Sequence, residues 1–144
     1  MLEQLNPFVG EWDMEVSFAV APDARARAVF EWTLDGRFLV QRAEISVPEA
    51  PDSLSLMGVD PTGEAFSQHY YDTRGVVRVY AMTFEDGVWT LVRESPDFSE
   101  LKFWQRYEGS FSADGDTIDG AWHISHDEGT TWDKDFDLVY RRIG

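Results

Sequence analysis

The sequence predicts an all-β fold: one antiparallel meander of about ten strands closed into a barrel. Three observations predict it. Asp35-Gly36, Asp86-Gly87 and Asp114-Gly115 are strong hairpin signals, because a tight hairpin needs positive φ at its central residues. Between the turns lie alternating runs rich in Val, Ile, Phe, Trp and Tyr, residues that suit a pleated, half-buried surface. A flat sheet of this many strands would also leave two exposed edges, which closure removes.

Taken in order, strands are expected near 8–19, 25–34, 37–47, 54–60, 65–73, 76–84, 88–95, 103–112, 116–125 and 132–142. Thr62-Gly63, Arg74-Gly75 and Glu128-Gly129 mark the remaining tight turns. Pro48 to Ser53 and Ser95 to Glu100 read as longer loops. The helical hint is a turn at Leu2 to Leu5, before Pro7. No repeat of solenoid or propeller period divides the chain, so 1–144 is expected to form one domain.

Strand parity sorts the inner face from the outer. In the first strand Phe8, Gly10, Trp12, Met14, Val16 and Phe18 alternate with acidic and polar residues, and the apolar set should face inward. The last strand sets Trp132, Phe136, Leu138 and Tyr140 against Asp133, Asp135 and Asp137, which read as a solvated stripe. A turn at Asp114-Gly115 pairs Phe111 with Ile118 and Tyr107 with Trp122, so Phe103, Gln105, Tyr107 and Phe111 face inward too. A turn at Asp86-Gly87 pairs Phe84 with Trp89, Met82 with Leu91 and Tyr80 with Arg93. A two-residue turn near Arg74 then puts His69 and Tyr71 on the face of Arg78 and Tyr80. That aromatic face is taken as the inner one, because it carries the larger side chains.

Composition excludes several functions. The formal net charge is -15, from 27 acidic and 12 basic residues, which disfavours nucleic-acid partners because these require clustered cations. There is no cysteine, so no disulfide, thiol nucleophile or thiolate metal site. Met1 to Pro7 lacks the features of a signal peptide, and no apolar run is long enough to span a membrane; a cytoplasmic protein is expected. The three histidines lack zinc spacing, and neither a Gly-x-Ser-x-Gly elbow nor a phosphate-binding glycine loop is present. No cofactor is expected.

Phe8-Val9-Gly10-Glu11-Trp12 opens the first strand. At this point the chain resembles calycin barrels, the lipocalins and intracellular fatty-acid-binding proteins. The resemblance implies that Trp12 closes the barrel floor beneath a basic residue, Arg141 or Arg142. Adding Met57-Gly58-Val59-Asp60, the run His69 to Val76, and Asp114-Gly115 with Gly120-x-Trp122, the whole chain is similar to a bacterial family of uncharacterised lipocalin-like domains of the DUF1579 type. That family implies a barrel and supplies no activity. Ser125 to Trp132 matches the Asp-box of sialidase propellers, read here as a hairpin device because it occurs once.

These readings point to a small-molecule binding barrel rather than an enzyme. An apolar ligand body would lie against Met82, Phe84, Trp89, Trp122 and Phe136, and Gln105 also lines the cavity. Arg78, Arg93, Tyr80, Tyr71 and His69 would hold an acidic or carbonyl group. A buried Arg needs a partner, whether a ligand anion or an internal group such as Glu44, Glu94 or a tyrosine hydroxyl. The alternatives are an isomerase or cyclase using His69 with a tyrosine and an arginine, a haem-binding barrel like the nitrobindins, and a filled barrel acting as an interaction module. A homodimer is compatible with each.

Overall fold

The computed structural model describes residues 1–18, 25–47 and 50–144. A 3-10 helix at Leu2–Phe8 leads into ten strands: β1 (Gly10–Val16), β2 (Ala26–Thr33), β3 (Phe38–Ile45), β4 (Ser53–Val59), β5 (Phe66–Asp72), β6 (Val77–Glu85), β7 (Val88–Arg93), β8 (Trp104–Phe111), β9 (Thr117–Ser125) and β10 (Asp133–Arg142). Each pairs antiparallel with its neighbour in sequence, and β1 pairs with β10 to close the barrel. The closed ten-strand meander is the expected fold. The expected first strand runs to residue 19, and the expected loop at Pro48 begins at 48; residues 19 and 48–49 lie outside the described residues.

The two ends of the barrel differ because their connections differ. Tight turns at residues 34–37, 60–65, 86–87 and 112–116 all fall at one end. Longer connections at residues 17–25, 46–52, 94–103 and 126–132 fall at the other, beside the short turn at 73–76. At Asp86-Gly87 both residues have positive φ, 53° and 76°, a two-residue hairpin turn. The 34–37 and 112–116 loops span four or five residues; the first sets Thr33 opposite Phe38, and the second keeps the expected pair, Phe111 opposite Ile118.

The tight-turn end is plugged. Leu5 and Phe8 of the 3-10 helix are fully buried, and the Phe8 ring meets Phe84, Trp89 and Phe111 at 5.0 Å in edge contacts, a favoured aromatic geometry. Trp12 is buried beside them, its indole N–H donating to the Phe8 carbonyl at 2.9 Å. The Arg142 guanidinium lies over the Trp12 ring at 4.1 Å and donates to the carbonyls of Pro7, Val9 and Gly115. Arg142 is thus the basic residue over the floor tryptophan. Gly10 has φ 136°, and a Cβ there would lie 2.5 Å from the Gly144 carbonyl oxygen, so the backbone just after β10 can pack so closely only against glycine. Gly109 faces Gly120 across β8 and β9. A Cβ on either would strike the Tyr107 phenol, which crosses this slot to donate to the Leu138 carbonyl at 3.1 Å.

Two registers differ from expectation. The β5–β6 turn holds three residues, not two: the Asp72 N–H donates to the Val76 carbonyl, and Tyr70 stands opposite Arg78, Gln68 opposite Tyr80. A one-residue difference in register exchanges the faces of a strand. Phe66, Gln68 and Tyr70 therefore share the inner face with Arg78 and Tyr80, and His69 and Tyr71 point outward, opposite Val79 and Val77. In β10 the register shifts between Lys134 and Phe136. Beyond this bulge Trp132 lies outside, under the Arg106 guanidinium at 4.5 Å, and Asp135, exposed as expected, borders the mouth of the barrel.

The 126–132 connection behaves as a hairpin device. Asp127 accepts from the Ser125 hydroxyl at 2.8 Å and from the Thr131 N–H at 2.8 Å, and also from the Thr131 hydroxyl. The Thr131 bonds, foremost, hold its carboxyl down at about 2.

The floor capping makes a prediction. Arg142→Ala should destabilise the protein by about 2 kcal/mol, from its cation–π contact and carbonyl bonds. Arg141→Ala, which breaks an exposed pair with Glu15, should leave the urea midpoint nearly unchanged. Equal losses in the two variants would remove Arg142 from this role.

Candidate functional site

The plug fills the lower part of the barrel and leaves a cavity of about 520 Å³ above it, open towards the end with the longer connections. Its floor is Trp89, which is buried and stacks edge-on to Phe8 and Tyr107. One wall is apolar: Leu91, Trp122, Leu138, Met14 and Val16. Trp122 stands at 5.4 Å from the Tyr80 ring and 5.3 Å from Tyr107. The lip carries Phe18 and Phe136 in edge contact at 5.0 Å, and Phe103 across from them.

The opposite wall is polar, and the register explains why. Gln41 of β3 faces Ser55 of β4, Ser55 faces Tyr70 of β5, and Tyr70 faces Arg78 of β6. These four side chains form one cross-strand row on the inner face. The next row towards the floor carries Gln68 and Tyr80. Directly opposed residues on one face lie close enough to act together, so the row is a continuous polar stripe.

The cations of this end differ in their partners. Arg93 is 2% exposed and makes a two-point pair with Asp97, both bonds at 2.9 Å. Its partner is thus neither Glu44 nor Glu94 but an aspartate from the 94–103 connection. Asp97 also substitutes for a strand. The β6–β7 ladder stops at Ala81 opposite Val92. Above it the Asp97 carboxylate accepts the Val79 N–H at 2.8 Å, and the Ser99 hydroxyl donates to the Val77 carbonyl. The Arg93 guanidinium, helped by the Val79 and Ser99 N–H groups, overcomes burial and holds the Asp97 carboxyl far below the usual carboxylate range. Arg74 pairs with Asp72 at 2.6 Å, and Asp72 also accepts the Tyr70 hydroxyl at 2.9 Å. Burial pushes Asp72 up, but these bonds outweigh it and its carboxyl stays low. Arg78 lines the cavity and forms no ion pair among the described residues; its guanidinium lies 5.9 Å from the Phe103 ring centre.

The phenols inside are neutral. Burial pushes Tyr70, Tyr80, Tyr107 and Tyr140 above the usual value, against a downward pull on Tyr80 from Arg78 and on Tyr140 from Gln41. Tyr140 accepts the Gln41 amide at 3.0 Å, and Tyr80 points its hydroxyl at Gln105 Oε1, 3.4 Å away. Among the described residues two buried polar atoms have no partner: Gln68 Oε1 and Trp89 Nε1. Both residues line the cavity.

Of the residues expected at the site, Arg78, Tyr80, Trp89 and Gln105 are brought together on the cavity wall. Arg93 is consumed by Asp97. Met82, 1% exposed, and Phe84 belong to the plugged floor. His69 and Tyr71 are outside the barrel for the register reason above. No histidine lines the cavity among the described residues: His123 stands on the outer face between Arg106 and Lys134, and His126 packs on Phe103. That placement takes His69, the proton-transfer group of the isomerase reading, out of the cavity and offers no histidine ligand there for the haem reading among the described residues. Of the polar residues missed, Gln68 and Tyr70 are legible only with a three-residue turn at 73–75, whereas Gln41 follows from the 34–37 hairpin, which sets it opposite Phe30, and Ser55 stands opposite Gln41.

Two outcomes follow. Asp97→Asn should cost about 3–5 kcal/mol at pH 7, because it leaves Arg93 buried without a counter-charge. The Asp97 carboxyl is low in the fold and returns to about 4 on unfolding, so its contribution is complete above about pH 4 and is lost as the pH falls towards the folded value. Urea titrations of the two proteins from pH 7 to pH 2 should converge; a constant gap would refute the assignment. Gln68→Met removes an unpartnered amide and should keep or raise the melting temperature, whereas a clear fall would mean that the amide is bonded in the folded state.

No curated protein matches this chain. The family described as "Protein of unknown function (DUF1579)" matches residues 2–142, nearly the entire barrel with its plug, and the chain belongs to that family.

Proposed function

We propose that the barrel binds a small, mostly apolar molecule whose acidic or carbonyl group meets Arg78. The observation that carries this reading is a guanidinium without an ion pair among the described residues, in the wall of an open cavity of about 520 Å³. Ligand pockets commonly fall between roughly 300 and 1,000 Å³, with apolar walls and a few directed polar groups. Arg78 supplies a fork of donors suited to a carboxylate. Tyr70 stands opposite it and the Tyr80 phenol lies on the same face, a neutral hydroxyl able to donate a further bond. Leu91, Trp122 and Leu138 would cover the apolar body, and Phe18 with Phe136 would line the way in. A filled barrel working only as an assembly module fits this cavity less well, and a catalyst using His69 lacks its base inside the barrel.

Isothermal titration with dodecanoate tests the reading. The wild-type protein should bind it, and Arg78→Met should weaken binding about tenfold or more, the worth of a hydrogen bond to a charged group. Native mass spectrometry of protein purified from cells should show a co-purifying organic acid. Undiminished affinity in Arg78→Met would sink the polar-end assignment, and absence of any binding to wild type would sink the reading.

A further inference from the structure

We infer that the ligand enters tail first and keeps its anionic group at the rim, so that the class bound is a single-tailed amphiphile selected by its tail and tolerant of groups that extend its head outward. The inference rests on the binding role proposed for the cavity and gives that ligand its orientation.

The distribution of charge along the cavity carries it. Among the described residues three charged side chains line the cavity, Arg74, Arg78 and Asp135. All three lie at the open end. Arg74 belongs to the 73–76 turn, Arg78 is the second residue of β6, and Asp135 stands near the start of β10, just after the 126–132 connection. The Arg74 side chain is 54% exposed and Asp135 is exposed as well. Below the rim the polar lining groups are neutral: Gln41, Ser55, Gln68 and Gln105, with the Tyr80 and Tyr140 phenols, whose protons burial retains. An anion carried to that depth would exchange its hydration for neutral walls, and a buried charge without a counter-charge is costly. At the rim the same anion keeps part of its water and gains the Arg78 fork.

The closed end suits a tail. Leu91 and Trp89 are each 1% exposed, and Trp89 backs onto the Phe8 plug. Trp89 stands opposite Phe84, six residues along β6 from Arg78. That separation is roughly 20 Å along the strand, and roughly 15 Å of depth with the strand tilt usual in barrels. The plug therefore sets a limit on the tail, and burial of apolar surface against Leu91 and Trp122 rewards a chain that fills this depth. The head meets the opposite condition. The described residues leave the cavity open beside Phe18 and Phe136, so a group added beyond the anion site extends away from the barrel.

Two compounds that modify dodecanoate at opposite ends test the orientation, by titration calorimetry on the wild-type protein. N-dodecanoylglycine lengthens the head, and dodecanedioate places a second carboxylate at the end of the tail. N-dodecanoylglycine should bind at least about tenfold tighter than dodecanedioate, because the second charge of the diacid must enter the neutral floor. A crystal structure with 12-bromododecanoate locates the tail directly: the anomalous bromine signal should lie beside Leu91 and Trp89, not between Phe18 and Phe103. A smaller difference between the two compounds, or the reverse order, would overturn the orientation while dodecanoate binding left the carboxylate site standing. Bromine at the rim would overturn it too. Failure of dodecanoate itself to bind would remove the binding role and this inference together.

Discussion

Arg142 sits where the two ends of the chain meet, and the rest of the barrel depends on that contact. Its guanidinium covers Trp12 and ties together the carbonyls of Pro7, Val9 and Gly115. One side chain thereby joins the 3-10 helix, the start of β1, the end of β10 and the β8–β9 turn. Closure between β1 and β10 removes both sheet edges, which in an open meander would template pairing with other chains. The same contact seals the floor, since Leu5 and Phe8 can plug the barrel only if the helix is held beneath it.

The sealed floor decides where a ligand could go. Aromatic rings fill the lower barrel to close packing, and Trp89 is the boundary between that packing and the cavity. At the other end the connections are longer and the strands separate. Between β6 and β7 the ladder stops early, and Asp97 takes over the vacated Val79 N–H while neutralising Arg93. A buried ion pair of this kind adds little net stability over an apolar replacement, but losing one partner is costly. Its consequence for the site is that Arg93 is unavailable to a ligand; Arg74, which also lines the cavity, is paired with Asp72, and Arg78 is the lining cation without an ion pair among the described residues.

The barrel interior is divided lengthwise. Polar side chains of β3 to β6 face a mainly apolar and aromatic wall from β8 to β10 and β1, to which Gln105 and Asp135 add polar groups. The tyrosines within it keep their protons, so they act as hydrogen-bonding groups and not as bases. Family membership adds the barrel and no activity, which leaves the cavity's own chemistry as the argument for what it holds.

The sequence by itself determined the strand order, the closed meander and the inner faces wherever a strand was strongly two-sided; the calycin resemblance implied a floor tryptophan under Arg141 or Arg142, and the structure chose Arg142. In β1, β8 and β9, acidic or polar residues alternate with large apolar ones, so burial free energy admits one register. The tertiary structure decided the middle of the barrel. His69 and Tyr71 on one face of β5 and Gln68 and Tyr70 on the other are nearly equal in polarity, so composition does not choose between them. Arg74-Gly75 is compatible with a turn of two residues or three, and one residue exchanges every side chain of the strand between cavity and solvent. The bulge between Lys134 and Phe136 acts in the same way on β10, sending Trp132 out and leaving Asp135 exposed at the cavity mouth. Periodicity reports which residues share a face; which face is inside depends on loop length and bulges, and only the closed barrel settles those.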